Sequence, residues 1–78
     1  MPHVIVKMYS GRSRKQKPQL AQEITRAVMT TLNYGEESVS VAIEDVAPKD
    51  WLEKVYELDI LDHPDTIYKK PGYSPDSL

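Results

Sequence analysis

The chain has 78 residues, a formal net charge of −2, no cysteine and two histidines. A domain this short buries only about 60% of the surface its unfolded chain exposes, so it needs a disulfide, a metal or a partner subunit. The missing cysteines exclude disulfides and thiolate metal sites, the two distant histidines argue against a histidine-rich metal site, and the charge offers no basic footprint for nucleic acid.

Oligomerisation is the device that remains. No apolar run approaches the ~20 residues of a membrane span, and the amino terminus lacks the apolar segment of a secretory signal. The expectation is one soluble cytoplasmic domain over residues 1–78, with no membrane and no nucleic acid among its partners.

From His3 the pattern is that of a strand. Val4, Val6 and Met8 alternate with His3, Ile5, Lys7 and Tyr9. Ile5 and Tyr9 make the second face apolar as well, which suits a sheet covered on both sides. Pro2 stands directly before this strand, where a missing N–H is harmless. A small residue after an initiator methionine favours removal of Met1. Removal would turn the Pro2 nitrogen from a tertiary amide into a free secondary amine. An amide has no basicity, whereas the amine accepts a proton and sits on a rigid ring.

Ser10-Gly11-Arg12 breaks the strand. Ser13 and Gln16 form a Ser-x-x-Gln capping box that opens a helix. Leu20, Ile24, Ala27, Val28, Thr31 and Leu32 fall on one helical face. Pro18 lies past the first helical position and is expected to loosen the opening turn. Asn33-Tyr34-Gly35 stops the helix, with Gly35 the expected left-handed cap. Ser38 to Val46 reads as a second strand, with Val39, Val41 and Ile43 on one face and Ser40, Ala42 and Glu44 on the other.

The order strand, long helix, strand predicts parallel strands joined by a right-handed crossover. Two strands do not make a stable sheet alone, and one helix covers only one sheet face, so the other face should meet a second copy. Trp51, Leu52, Val55 and Tyr56 predict a short helix from about Lys49 to Glu57. A further short helix is expected at Pro64, with Ile67 and Tyr68 inward. Pro71-Gly72 fits the centre of a type II turn, and Pro75 to Leu78 reads as a loose tail.

The chain carries no Gly-rich phosphate loop, no trusted Ser-His-Asp order and no metal-ligand spacing, so no cofactor and no metal are expected. His3 reads as a surface or interface residue, and His63, before Pro64, as a helix-opening one. Pro2, Arg12 and Trp51 remain of interest together. Arg12 lies in the loop at the far end of the first strand. A seven-residue strand spans about 23 Å, so Arg12 is far from Pro2 of its own chain; it could approach the Pro2 of another copy, or the chain could fold back. Trp51 follows the second strand, where tryptophan is commonly core or interface.

Met1-Pro2 with the strand after it, Gly11-Arg12-Ser13, the helix start containing Gln16-Lys17, and Ser38-Val39-Ser40-Val41 occur in the order found in the 4-oxalocrotonate tautomerase family, which the chain resembles from residue 2 to about 51. Pro48-x-x-Trp51 and Lys69-Lys70-Pro71-Gly72-Tyr73-Ser74 are similar to the dimeric, phenylpyruvate-tautomerising branch of that family. The resemblance implies an α/β fold: a β-α-β subunit with short carboxyl-terminal helices, dimerising into a four-stranded sheet covered by two helices. It implies that Pro2 acts as general base and acid, that Arg12 binds a substrate carboxylate, and that Trp51 lines the pocket. Hexameric members carry a second arginine in strand two, where this chain has Ser40. The expected substrate is therefore a 2-oxo monocarboxylic acid such as phenylpyruvate instead of a dicarboxylate, and a homodimer is expected before a hexamer.

Two other readings stand beside this one. A protonated Pro2 could activate an unsaturated or halogenated acid, as hydratases, dehalogenases and decarboxylases of the wider superfamily do, with Glu44 or Asp45 positioning water. Alternatively, a chain that retains Met1 would be a non-catalytic dimeric module.

Overall fold

A computed structural model describes the chain from Met1 to Leu78. It forms two compact units, Met1–Asp45 and Val46–Leu78.

In the first unit, strand β1 spans His3–Tyr9, helix α1 spans Gln16–Leu32, a 3-10 turn spans Glu36–Ser38, and strand β2 begins at Ser40; its last residue, Val46, is the first of the second unit. β1 and β2 pair in a two-stranded sheet. The Ser40 N–H donates to the Pro2 carbonyl at 3.2 Å. The bond joins the head of one strand to the head of the other, so the strands run parallel, as a helical crossover requires. Most of the alternation read from the sequence holds in β1: Val4, Val6 and Met8 are half-buried and His3, Ile5 and Tyr9 exposed, but Lys7 is half-buried as well.

The capping box forms with both of its bonds. The Gln16 N–H donates to Ser13 Oγ at 3.2 Å, and the Ser13 N–H donates to Gln16 Oε1 at 3.1 Å. The opening turn is loose, with Gln16 N–H to the Ser13 carbonyl at 3.3 Å and Gln19 N–H to the Lys15 carbonyl at 3.4 Å. Pro18 is the third residue of the helix, where an N–H would have no intrahelical partner in any case. Gly35 is not the cap. Asn33 takes the left-handed conformation (φ 60°, ψ 44°) and its N–H donates to the Met29 carbonyl at 3.0 Å, whereas Gly35 is extended. Asparagine tolerates that region, so the helix closes two residues before the glycine.

The inward face of α1 is also rotated from the expected one. Ala21, Ile24, Thr25, Val28 and Met29 are half-buried, while Leu20, Ala27, Thr31 and Leu32 are exposed. Thr25 fits because its hydroxyl donates to the Ala21 carbonyl at 2.8 Å, which satisfies its polar atom within the helix.

In the second unit, a 3-10 turn at Pro48–Asp50 leads through Trp51 into a π-helix at Leu52–Leu61. The predicted helix thus continues past Glu57. Its wider bonding is seen at the end, where the Asp62 N–H donates to the Glu57 carbonyl at 3.1 Å. With i→i+5 bonding, residues four or five apart stack. Trp51, Val55, Tyr56 and Ile60 have that spacing and form the inward face. Val55 and Tyr56 are the two buried residues of the chain, at 5% and 8% exposure.

A 3-10 turn at Pro64–Thr66 stands where a second helix was expected. Ile67 is half-buried, but Tyr68 is 98% exposed. No left-handed conformation occurs at Gly72, so Pro71-Gly72 is not a type II turn; the one glycine with positive φ is Gly11, at 113°. Pro75–Ser77 is a 3-10 turn and not a loose tail, with Ser77 N–H donating to the Ser74 carbonyl at 3.0 Å.

The reciprocal bonds at Ser13 and Gln16 predict that Ser13→Ala lowers stability by about 1 kcal/mol, while Ser13→Thr restores most of it. Denaturant unfolding with an unchanged m-value is the measurement.

Candidate active site

Pro2 is half-buried at the head of β1, before the first ladder residue. In the full chain its nitrogen is the amide joined to Met1, and Met1 is 89% exposed. One backbone bond holds Pro2, that from the Ser40 N–H to its carbonyl. Beside it, His3 Nδ1 lies 2.6 Å from Ser40 Oγ. A single residue at the start of β2 therefore holds two consecutive residues at the start of β1.

Arg12 sits past the other end of β1. Gly11 delivers it there: a φ of 113° reverses the chain after the strand, a conformation that L side chains rarely adopt. Arg12 is exposed and makes no ion pair. It lines a small cavity of about 180 Å³ with Met8, Gln16, Lys17 and Leu20. The cavity combines two apolar side chains with two cations and an amide. The amide is held in place, since Gln16 Oε1 accepts from the Ser13 N–H. Lys17 Nζ is held by Asp45 at 2.6 Å, which ties α1 to β2. Arg12 is the cation of this cavity with its full donor set open to an incoming carboxylate.

Pro2 and Arg12 of one chain are not brought together. The length of β1 separates them, about 23 Å for seven residues.

Trp51 belongs to the second unit and is half-buried. Its indole N–H donates to the Tyr73 hydroxyl at 3.0 Å. The Tyr73 ring in turn packs on Tyr56, with centroids 5.8 Å apart and planes tilted by 48°. This tilted arrangement is the favourable one for aromatic pairs. Tyr56 and Tyr73 line a cavity of about 290 Å³ with Ile60, Leu61, Pro64, Ile67, Lys70 and Pro71. Tyr73 thereby fixes the indole of Trp51, a part that its place in the carboxyl-terminal segment did not disclose. The partnership of His3 with Ser40 was equally hidden, because 37 residues separate them. Gln16 and Lys17 were legible as helix-start residues but not as neighbours of Arg12.

Residues 2–55 match the family model described as tautomerase enzyme. A probable tautomerase of Xylella fastidiosa is 42% identical over 73 residues, which cover 94% of this chain and 89% of that protein. The tautomerase PptA of Cronobacter sakazakii is 39% identical over 74 residues, covering 94% and 97%. Among solved structures, YwhB, described as a homologue of 4-oxalocrotonate tautomerase, superposes with a TM-score of 0.58 at 41% identity, covering 59% of this chain and 75% of that one. TomN, a 4-oxalocrotonate tautomerase homologue in the tomaymycin biosynthetic pathway, gives a TM-score of 0.63 at 32% identity over 64% and 77%. With the β-α-β order, the proline at the head of the first strand and relatives matched along nearly their whole length, the chain belongs to the 4-oxalocrotonate tautomerase family.

Proposed function

We propose that the protein catalyses keto–enol interconversion of a 2-oxo monocarboxylic acid such as phenylpyruvate, with the amine of Pro2 as base and acid. The observation that carries this reading is the fastening of Pro2 to β2 through Ser40, which gives a ring nitrogen a fixed place once Met1 is gone.

The chemistry follows from the groups. The neutral Pro2 nitrogen takes a proton from the carbon beside the substrate carbonyl. Electrons move to the carbonyl oxygen, which becomes an enolate and then gains a proton. Ketonisation runs the same steps backward, the Pro2 ammonium returning its proton to carbon. A free α-amine has a reference pKa near 7.7–8.0, and a neighbouring cation or an apolar wall favours its neutral form. Arg12 grips the carboxylate with paired N–H donors and steadies the charge developing on the enolate oxygen. Within its own unit Trp51 presents an indole fixed by Tyr73, a side chain of the kind an apolar substrate tail packs on.

Arg12 serves the Pro2 of another subunit in this reading, because its own lies a strand length away. A homodimer is therefore part of the proposal. The scarcity of buried side chains supports it, together with exposed apolar residues such as Ile5 (53%) and Leu32 (56%). A single strand-two residue, Ser40, where a second cation would favour a dicarboxylate, supports a monocarboxylate. The hydratase or dehalogenase alternative asks for a carboxylate free to position water. Asp45 is engaged by Lys17, which disfavours it for that role.

Retention of Met1 keeps the Pro2 nitrogen an amide and should lower enol-phenylpyruvate ketonisation by at least about 100-fold. Mass spectrometry verifies each terminus, and equal rates from both forms remove Pro2 from the mechanism. Arg12→Ala should lower kcat/KM by roughly 10- to 100-fold, raising KM through loss of the carboxylate grip and lowering kcat through loss of enolate stabilisation. Mixed subunits of Arg12→Ala and the Met1-retaining form should regain about one quarter of the wild-type sites. Failure of the mixture to exceed its components would place Arg12 in the same subunit as the proline it serves.

A further inference from the structure

The head of β1 is held by more than its backbone ladder. Pro2 has no amide N–H to donate, so its carbonyl is its one point of attachment to β2. Strand ends with a single bond fray readily. Here a second bond lies beside the first: His3 Nδ1 meets Ser40 Oγ at 2.6 Å. Both bonds end on Ser40, one on its N–H and one on its hydroxyl.

We propose that His3 is a positioning residue for Pro2, acting through Ser40. The inference rests on Pro2 being the base. The side-chain bond closes the fray point next to the proline, so the ring nitrogen keeps one direction relative to the sheet. A proton transfer needs its base within about 2.6–3.2 Å of the hydrogen-bearing atom. Displacement by about 1 Å can cost roughly 100-fold in rate. The contact does not depend on one protonation state of the ring. A neutral imidazole accepts from the serine hydroxyl or donates to it, and an imidazolium donates to it. Both side chains are exposed, so replacing either removes the bond without opening the core.

The effect should fall on kcat. The carboxylate grip comes from Arg12 of another subunit, whose own loop and helix start a change at His3 leaves in place. A residue that merely stabilised the fold would lower the amount of active protein but would not move the order of the strand head selectively. His3→Asn is the discriminating variant, because its amide places a hydrogen-bonding atom near the position of Nδ1.

The test uses protein with a verified proline terminus and reads two quantities, ketonisation kinetics and hydrogen exchange of the backbone amide at position 40. His3→Ala should lower kcat roughly tenfold, leave KM within about twofold, and accelerate exchange at position 40. His3→Asn should restore both readings. Ser40→Ala should reproduce the loss, and the double variant should be no worse than either single one. Unchanged exchange and kcat in His3→Ala, additive losses in the double variant, or no recovery in His3→Asn would each overturn the proposal. The Met1-retaining form, assayed alongside, judges the role of Pro2 separately. If that form is fully active, the base assignment fails, whereas exchange at position 40 still reports whether His3 holds the strand head.

Discussion

The backbone bond from the Ser40 N–H to the Pro2 carbonyl sets the parallel register of the sheet. Every other feature of the first unit is arranged around it. The two strands must start level, so the chain has to leave β1 at its far end and travel back along its whole length. Helix α1, with 17 residues, covers about 25 Å at 1.5 Å per residue, close to the length of a seven-residue strand. Gly11 starts the return and Asn33 ends it, both in backbone conformations with positive φ. The proline is thereby left at one end of the sheet and Arg12 at the other. That geometry follows from a parallel pair and is the reason a second subunit enters the functional reading at all.

The same constraint shows up as a shortage of core. Two residues are buried, both in the π-helix, and the sheet and α1 contribute half-buried residues only. One helix shields one side of two strands. Ile5 and Tyr9, on the outward face of β1, stay exposed together with Leu32 at the end of α1. An apolar side chain of this size gains about 1.5–3 kcal/mol on full burial. That gain is still to be realised by a chain without disulfides. In the proposed reading, catalysis and stability place the same demand on assembly: the site takes an arginine from another copy, and that copy covers the exposed strand face.

Local signals in the sequence were reliable where one interaction decides the structure. The alternation from His3 to Tyr9 gave β1 its limits, and Ser13 with Gln16 gave both bonds of the capping box. The reading went astray where two local options compete. Asn33 and Gly35 can both take a left-handed conformation, and the nearer one won because its N–H reaches the Met29 carbonyl. Thr25 was not among the residues read as inward, yet its hydroxyl is absorbed by the Ala21 carbonyl, and the inward stripe runs through it. The run after Trp51 was read with an α period. Its inward residues, Trp51, Val55, Tyr56 and Ile60, are spaced for the wider π turn, and that spacing was visible in the sequence.

The candidate site divides along the same line. Pro2, Arg12 and Trp51 are residue types whose chemistry can be read one at a time. Their supports cannot, because each is remote in sequence: Ser40 for Pro2, Asp45 for the lysine beside Arg12, and Tyr73 for Trp51. A base that works by direction as well as basicity depends on such supports. The Pro2 ring fixes its own geometry, but not its orientation relative to the sheet. That orientation comes from the start of β2, where a hydroxyl and an N–H on one residue meet the two residues that open β1. In the proposed mechanism the amine of Pro2 sets what the site can do, and residue 40, well outside any local motif around the proline, sets how often it points the right way.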